Sequence, residues 1–220
     1  MHYLFNPYNY NLDDPASIPN LIWQHAFLVG VSMLISLIIA IPLGILVARY
    51  RALYIPVITI ADLLYTIPGL ALLGVLITIP GFGLGFQTAI FPLVLYTQLV
   101  LIRNTAAGIN GIDPLYIETA RAMGMNGQQV LFRVTLPLAL PVIIAGIRIA
   151  TVTTIGIASL ASLVGEGGLG DLIFKNITTQ DFDAVTAGGI LMAASAIVAD
   201  LALLTIQTLL NRGRGAVSVA

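Results

Sequence analysis

Five stretches of this chain are almost wholly apolar and long enough to cross a bilayer, and that feature decides which solvent the fold must satisfy. A helix rises about 1.5 Å per residue, so about twenty residues span a hydrocarbon core of about 30 Å. The stretches cover about residues 24–48, 54–79, 86–102, 138–164 and 184–210, with Pro42 and Gly44 as a kink near the end of the first and the third only marginally long. Composition agrees: 58% of the residues are hydrophobic, 9% are charged, and the mean hydropathy is +0.99. The expected fold is all-α, with five transmembrane helices in one membrane domain over residues 22–212. Residues 1–21 read as an ordered or interfacial leader; their first twenty carry no Lys or Arg and no apolar core, unlike a cleavable signal peptide. The chain has no cysteine, which excludes a disulfide framework, a Cys-ligated metal and a Cys nucleophile.

Orientation follows from the nine basic residues, because short loops rich in Lys and Arg stay cytoplasmic. Arg49 and Arg51 follow the first span, Arg103, Arg121 and Arg133 the third, and Arg212 and Arg214 the fifth. The opposite side has only Lys175. This predicts an outside N-terminus, an inside C-terminus and a cytoplasmic segment between the third and fourth spans.

That segment has a distinct local grammar. Asp113 suits a helix cap, Pro114 the first helical position and Gly124 the residue just past the end. Asn126 with Gln129 resembles a capping box, and Val130, Leu131 and Val134 give the second helix an apolar face. The spacing predicts a helix, a tight turn and a second helix over residues 113–137. Such a hairpin can lie on lipid, pack under its own bundle or dock into a partner.

Glu118, Thr119, Ala120, Gly124, Val134, Leu136 and Pro137, at their spacing, resemble the EAA signature of binding-protein-dependent ABC importer permeases. Thr119 and Val134 are conservative departures from the usual Ala and Ile. The stretches IPGLALLGVLITIPGFGLG, RNTAAGINGIDPLYIETARAMGM and LPLALPVIIAGIRIATVTTIGIASLASLVGEGGLGDLIF are similar to the branch importing glycine betaine, carnitine, choline and related quaternary ammonium osmoprotectants. The five-span core is also similar to methionine importer permeases. The resemblance implies a non-catalytic permease subunit of a prokaryotic plasma (inner) membrane. It implies a second permease copy or related chain, two ATPase subunits that bind ATP and Mg, and an extracytoplasmic substrate-binding protein, with no nucleic-acid partner. The hairpin would be the coupling helix pair that docks into the ATPase, with Gly124 permitting the turn and Glu118 anchoring the loop.

Other features bear on mechanism. A P-loop needs a Gly-Lys pair, and Lys175, the one lysine, follows Phe174, so this chain binds no ATP that way. Residues 165–170, GEGGLG, match the dinucleotide fingerprint by letter, but they follow a long apolar helix instead of a strand. Gly165, Gly167, Gly168 and Gly170 instead read as a tight outer turn, either packing helices or lining an outer gate. Inside the spans stand Asp62, Arg148 and Asp200 at similar depth, about 16 Å from the inner surface, and Arg148 is expected to pair with one or both aspartates. The pair either fixes helix packing or rearranges during transport. Arg148, Thr151, Ser159 and Ser162 fall on one α-helical face, as a packing stripe or a pore lining. Tyr65 is the best aromatic candidate for a quaternary ammonium, whereas Trp23 and Tyr54 suit the lipid interfaces. His2 and His25 belong to no metal motif, and no Ser sits in a G-x-S-x-G elbow, which leaves a membrane enzyme the weakest class. A secondary transporter or channel is the runner-up to the importer permease; it would be expected to show inverted repeats or paired broken helices.

Overall fold

A computed structural model describes residues 2–212. The ordered elements of these residues are all helical. Two 3₁₀ turns, His2–Phe5 and Pro7–Tyr10, lead into α1 (Ile18–Arg49), which runs unbroken through Pro42. It is longer at both ends than the apolar run alone suggests.

The second expected span is broken. Its residues form α2 (Arg51–Tyr65) and α3 (Gly69–Thr78), bent by 87° at Thr66–Pro68. Pro68 supplies no backbone N–H and biases Ile67 away from the α region, so the helix stops and restarts. Tyr96 closes the corner: its hydroxyl donates to the Ile67 carbonyl at 2.7 Å, and its ring meets Tyr65 edge-on at 5.9 Å. Four helical segments can therefore cross a membrane alone, and five if the bent pair counts as one.

α4 (Phe86–Asn110) continues eight residues past the expected end of the third span, which removes its marginal length. It is the hub of the bundle. A Cβ on Gly44 of α1 would lie 2.5 Å from Thr105 Cβ, and one on Gly146 would lie 2.4 Å from Asn104 Cβ. The glycines thus let α1 and the fourth span press against α4, as small residues do where membrane helices cross closely. Ser36 and Thr97 share a buried hydrogen bond of 2.5 Å across the α1/α4 seam, beside Ala40, Leu101 and Ala106.

After α5 (Pro114–Ala122) and α6 (Gly127–Val130), a π turn over Leu131–Thr135 feeds α7 (Leu136–Ile157), which tightens into a 3₁₀ helix over Ala158–Val164. The glycine turn follows, then α8 (Gly170–Thr179), where a plain loop was expected, and α9 (Phe182–Arg212). Arg214, used in the orientation argument, lies outside the described residues.

Candidate coupling hairpin and intramembrane polar site

The hairpin folds as its local chemistry dictates. Asp113 caps α5 by accepting from the Leu115 N–H at 2.9 Å, and Pro114 occupies the first turn. Gly124 stands at φ +83°. Its N–H reaches the Arg121 carbonyl at 2.9 Å, and the Met125 N–H reaches that of Ala120 at 3.2 Å, which together form a Schellman ending. The Asn126 side chain accepts from the Gln129 N–H at 3.0 Å, and Gln129 Oε1 accepts from the Asn126 N–H at 2.9 Å, completing the capping box.

The signature residues divide between two surroundings. Ala120 is buried, and Val134, Leu136 and Pro137 are partly buried at the base. Glu118, Thr119 and Gly124 are exposed, as are Leu115 and Met123, at 65% and 66%. Thr119 donates to the Leu115 carbonyl at 2.7 Å, and the Glu118 carboxylate has no partner among the described residues. The tip therefore presents the apolar side chains of Leu115 and Met123 together with the Glu118 carboxylate, on helices whose starts are both capped.

Within the bundle two Arg–Asp pairs form. Arg148 of α7 makes a two-pronged contact to Asp200 of α9, Nε to Oδ1 and Nη2 to Oδ2, both at 2.9 Å. Gln207 completes the fork, accepting from Arg148 Nη1 at 3.1 Å and donating to the Pro141 carbonyl at 3.0 Å. The pair lines a groove of about 590 Å³ between α7 and α9. Asp62 does not join it. Instead Asp62 accepts from Arg103 of α4 at 3.0 and 3.1 Å, with both side chains about half exposed. Sequence reasoning missed Arg103 because it ended the third span one residue earlier. The signal lay in RNTAAGIN, whose small residues, Gly108 among them, suit a helix packed inside a bundle.

The four-residue polar stripe does not stay on one face. Each 3₁₀ residue turns the chain about 20° further than an α residue, so by Ser162 the side chain has rotated about 100° from its α position. Arg148 faces the α7/α9 groove, while Thr151 lines a second groove of about 540 Å³ with His25 and Ser195. Ser159 donates to the Gly156 carbonyl, and Ser162 donates to Asp171 at 2.5 Å. Asp171 also pairs with Lys175, an i,i+4 signal present in the sequence but not used.

At the glycine turn, Gly165, Gly167 and Gly168 all have positive φ. Gln24 of α1 accepts from the Gly168 N–H at 2.9 Å, and a Cβ on Gly170 would lie 2.0 Å from the Ser159 carbonyl oxygen. His25 is buried beside it, hydrogen-bonded through Nε2 to the Ile155 carbonyl at 3.0 Å. The turn follows a 3₁₀ helix and has no strand before it, so the nucleotide-fingerprint geometry is missing.

These features define a polytopic helical membrane protein with a structured polar hairpin between two of its spans. Residues 40–215 match the family described as binding-protein-dependent transport system inner membrane component, and the chain belongs to that family. It is 43% identical to the carnitine transport permease protein OpuCD of Listeria monocytogenes, over 86% of this chain and 84% of that one. It is 38% identical to the osmoprotectant import permease protein OsmW of Salmonella typhimurium, over 92% and 96%. Among solved structures, the MetNI methionine ABC transporter in an inward-facing form superposes with a TM-score of 0.76 at 27% identity, covering 86% of this chain and 93% of that one. The chain is thus an inner-membrane permease of the ABC importer type.

Proposed function

We propose that the chain is the permease subunit of an ATP-driven importer for a quaternary ammonium osmolyte such as glycine betaine, carnitine or choline. In this reading the N-terminus lies outside, the C-terminus inside, and residues 113–137 form the coupling hairpin. A loaded binding protein docks on the outer loops, and two partner ATPases close on ATP and Mg. The hairpin tip carries that motion to the spans of two permease chains, so that the path opens outward, and hydrolysis resets it inward. ATP hydrolysis belongs to the partner, and this chain is non-catalytic.

The observation that carries the reading is the hairpin tip: Leu115, Glu118 and Met123 stand exposed on a doubly capped scaffold, with none of the described residues over them. A rigid apolar tip transmits force better than a flexible loop. The half-exposed Asp62–Arg103 pair supports placing α2 and α4 on the transport face. A charge pair open on one side is costly against hydrocarbon but stable against a water-filled path or a second subunit. Tyr65, half exposed one turn beyond Asp62, belongs to the same face.

Two measurements test this. Tagged permease should copurify an ATPase, and Gly124→Trp should abolish that association while the permease still folds; retention of the ATPase by the variant would contradict the coupling role. Carnitine, betaine, choline and methionine should then be compared for binding to the partner binding protein. Preference for a quaternary amine is expected. Preference for methionine would favour the second reading, which the structural likeness to the methionine transporter supports.

A further inference from the structure

The end of the bundle that carries the hairpin also holds a groove with no part in the coupling just described. It has a volume of about 390 Å³ and lies between α1, α4 and the hairpin. Ile45, Ile109, Ile117 and Val130 form its apolar wall, and Arg49 and Arg121 line it as well. No acidic side chain lines it, and neither guanidinium has a carboxylate partner among the described residues. Arg49 rests against the Tyr50 ring at 5.7 Å. Both arginines are exposed at the rim of the groove, so two cations without a carboxylate stand beside an apolar wall, an arrangement suited to an anion that carries an apolar tail.

We propose that this groove holds the phosphate of an anionic phospholipid headgroup between Arg49 and Arg121, with an acyl chain lying over Ile45 and Ile109. The proposal rests on the inward placement of the hairpin, because basic pockets between membrane helices on the cytoplasmic side suit anionic headgroups. Guanidinium forks match phosphate oxygens in pairs. A soluble phosphate would satisfy the arginines but leave the apolar wall wet, whereas a lipid satisfies both. The groove and the docking tip use different sides of α5. Ile117, Ala120 and Arg121 share one side at i, i+3 and i+4, with Ala120 buried and Arg121 exposed at the groove's rim, while Leu115, Glu118 and Ala122 lie away from the groove. A lipid and an ATPase therefore bind together, and the lipid ties α1 to α5 and steadies the seat of the hairpin.

The test uses the intact importer in nanodiscs of mixed phosphatidylcholine and phosphatidylglycerol, with lipids retained on the permease read by native mass spectrometry. Wild type should retain phosphatidylglycerol, Arg49→Gln with Arg121→Gln should retain several-fold less, and Arg51→Gln with Arg133→Gln, outside the groove, should match wild type. Excess inorganic phosphate should not displace the lipid. On the wild-type importer, a photoactivatable phosphatidylglycerol should crosslink within residues 45–49 or 117–121. Equal retention by wild type and the groove variant, displacement by inorganic phosphate, equal loss in the outer variant or crosslinks only elsewhere would each overturn the proposal. Retention is read on the permease itself, so a chain that keeps the lipid but binds no ATPase would sink the transport reading alone. A chain that binds the ATPase but not the lipid would sink only this one.

Discussion

Two of the glycine turns in the bundle, at Gly124 and at residues 165–170, look alike as sequence and differ in what surrounds them. Gly124 takes a positive φ in open space; nothing lies within 4 Å of where a Cβ would stand. At the other turn, Gly168 presses on His25, and a Cβ on Gly167 would meet Gln24 Oε1 at 2.3 Å. Gly170 backs directly onto the Ser159 backbone. One turn is shaped by backbone conformation and kept clear for something else, while the other is shaped by close packing of α1, the 3₁₀ segment and α8. In the proposed reading the first belongs to an interface; the second belongs to the fold.

Substitution separates the two. Gly170→Ala should have the largest effect, because its Cβ would strike backbone that cannot rotate away; a loss of about 3 kcal/mol, the upper range for overpacking, should appear as a clear drop in thermal stability in detergent. An unchanged midpoint would mean that α8 docks more loosely than described. Arg148→Leu should come next, leaving Asp200 unpaired in the groove between α7 and α9. Folded yield should fall several-fold, and Arg148→Leu combined with Asp200→Leu should restore much of it. Asp62→Asn provides the contrast: its pair is half exposed and worth at most about 1 kcal/mol, so yield should hold while transport falls if α2 and α4 face the path. Gly168→Ala should cost about 1–2 kcal/mol from left-handed strain, measurable by the same thermal assay. The smallest effect belongs to Gly124→Asn, since Asn tolerates that conformation and has room; near-normal stability with ATPase association retained is the expected result.

What could be read from the sequence follows the range of the interactions. The hairpin was legible nearly residue by residue, because a cap, a capping box and a left-handed glycine act over a few positions. The spans were legible as apolar lengths, but their ends were not. Arg103 reads as the residue just past the third span, although α4 carries it inside the bundle to meet Asp62, a contact 41 residues away. The break at Pro68 was hidden because an apolar run reads as one span whether straight or bent. The serine positions presuppose α periodicity, whereas the chain after Ile157 is 3₁₀ and packs against both α4 and α8, long-range contacts that no local pattern announces. The pairing of Arg148 with an aspartate was legible from the cost of charge in a bilayer, but the choice of Asp200 and the help of Gln207 were not.

The absence of cysteine makes the central claim directly measurable, because Met123→Cys would be the only thiol in the chain. A membrane-impermeant maleimide should label this exposed tip in inverted vesicles and not in right-side-out ones, and the bound ATPase should protect it. Labelling from the outer face, or labelling in inverted vesicles that the assembled ATPase leaves unchanged, would contradict the account of the hairpin as the joint through which another polypeptide drives this bundle.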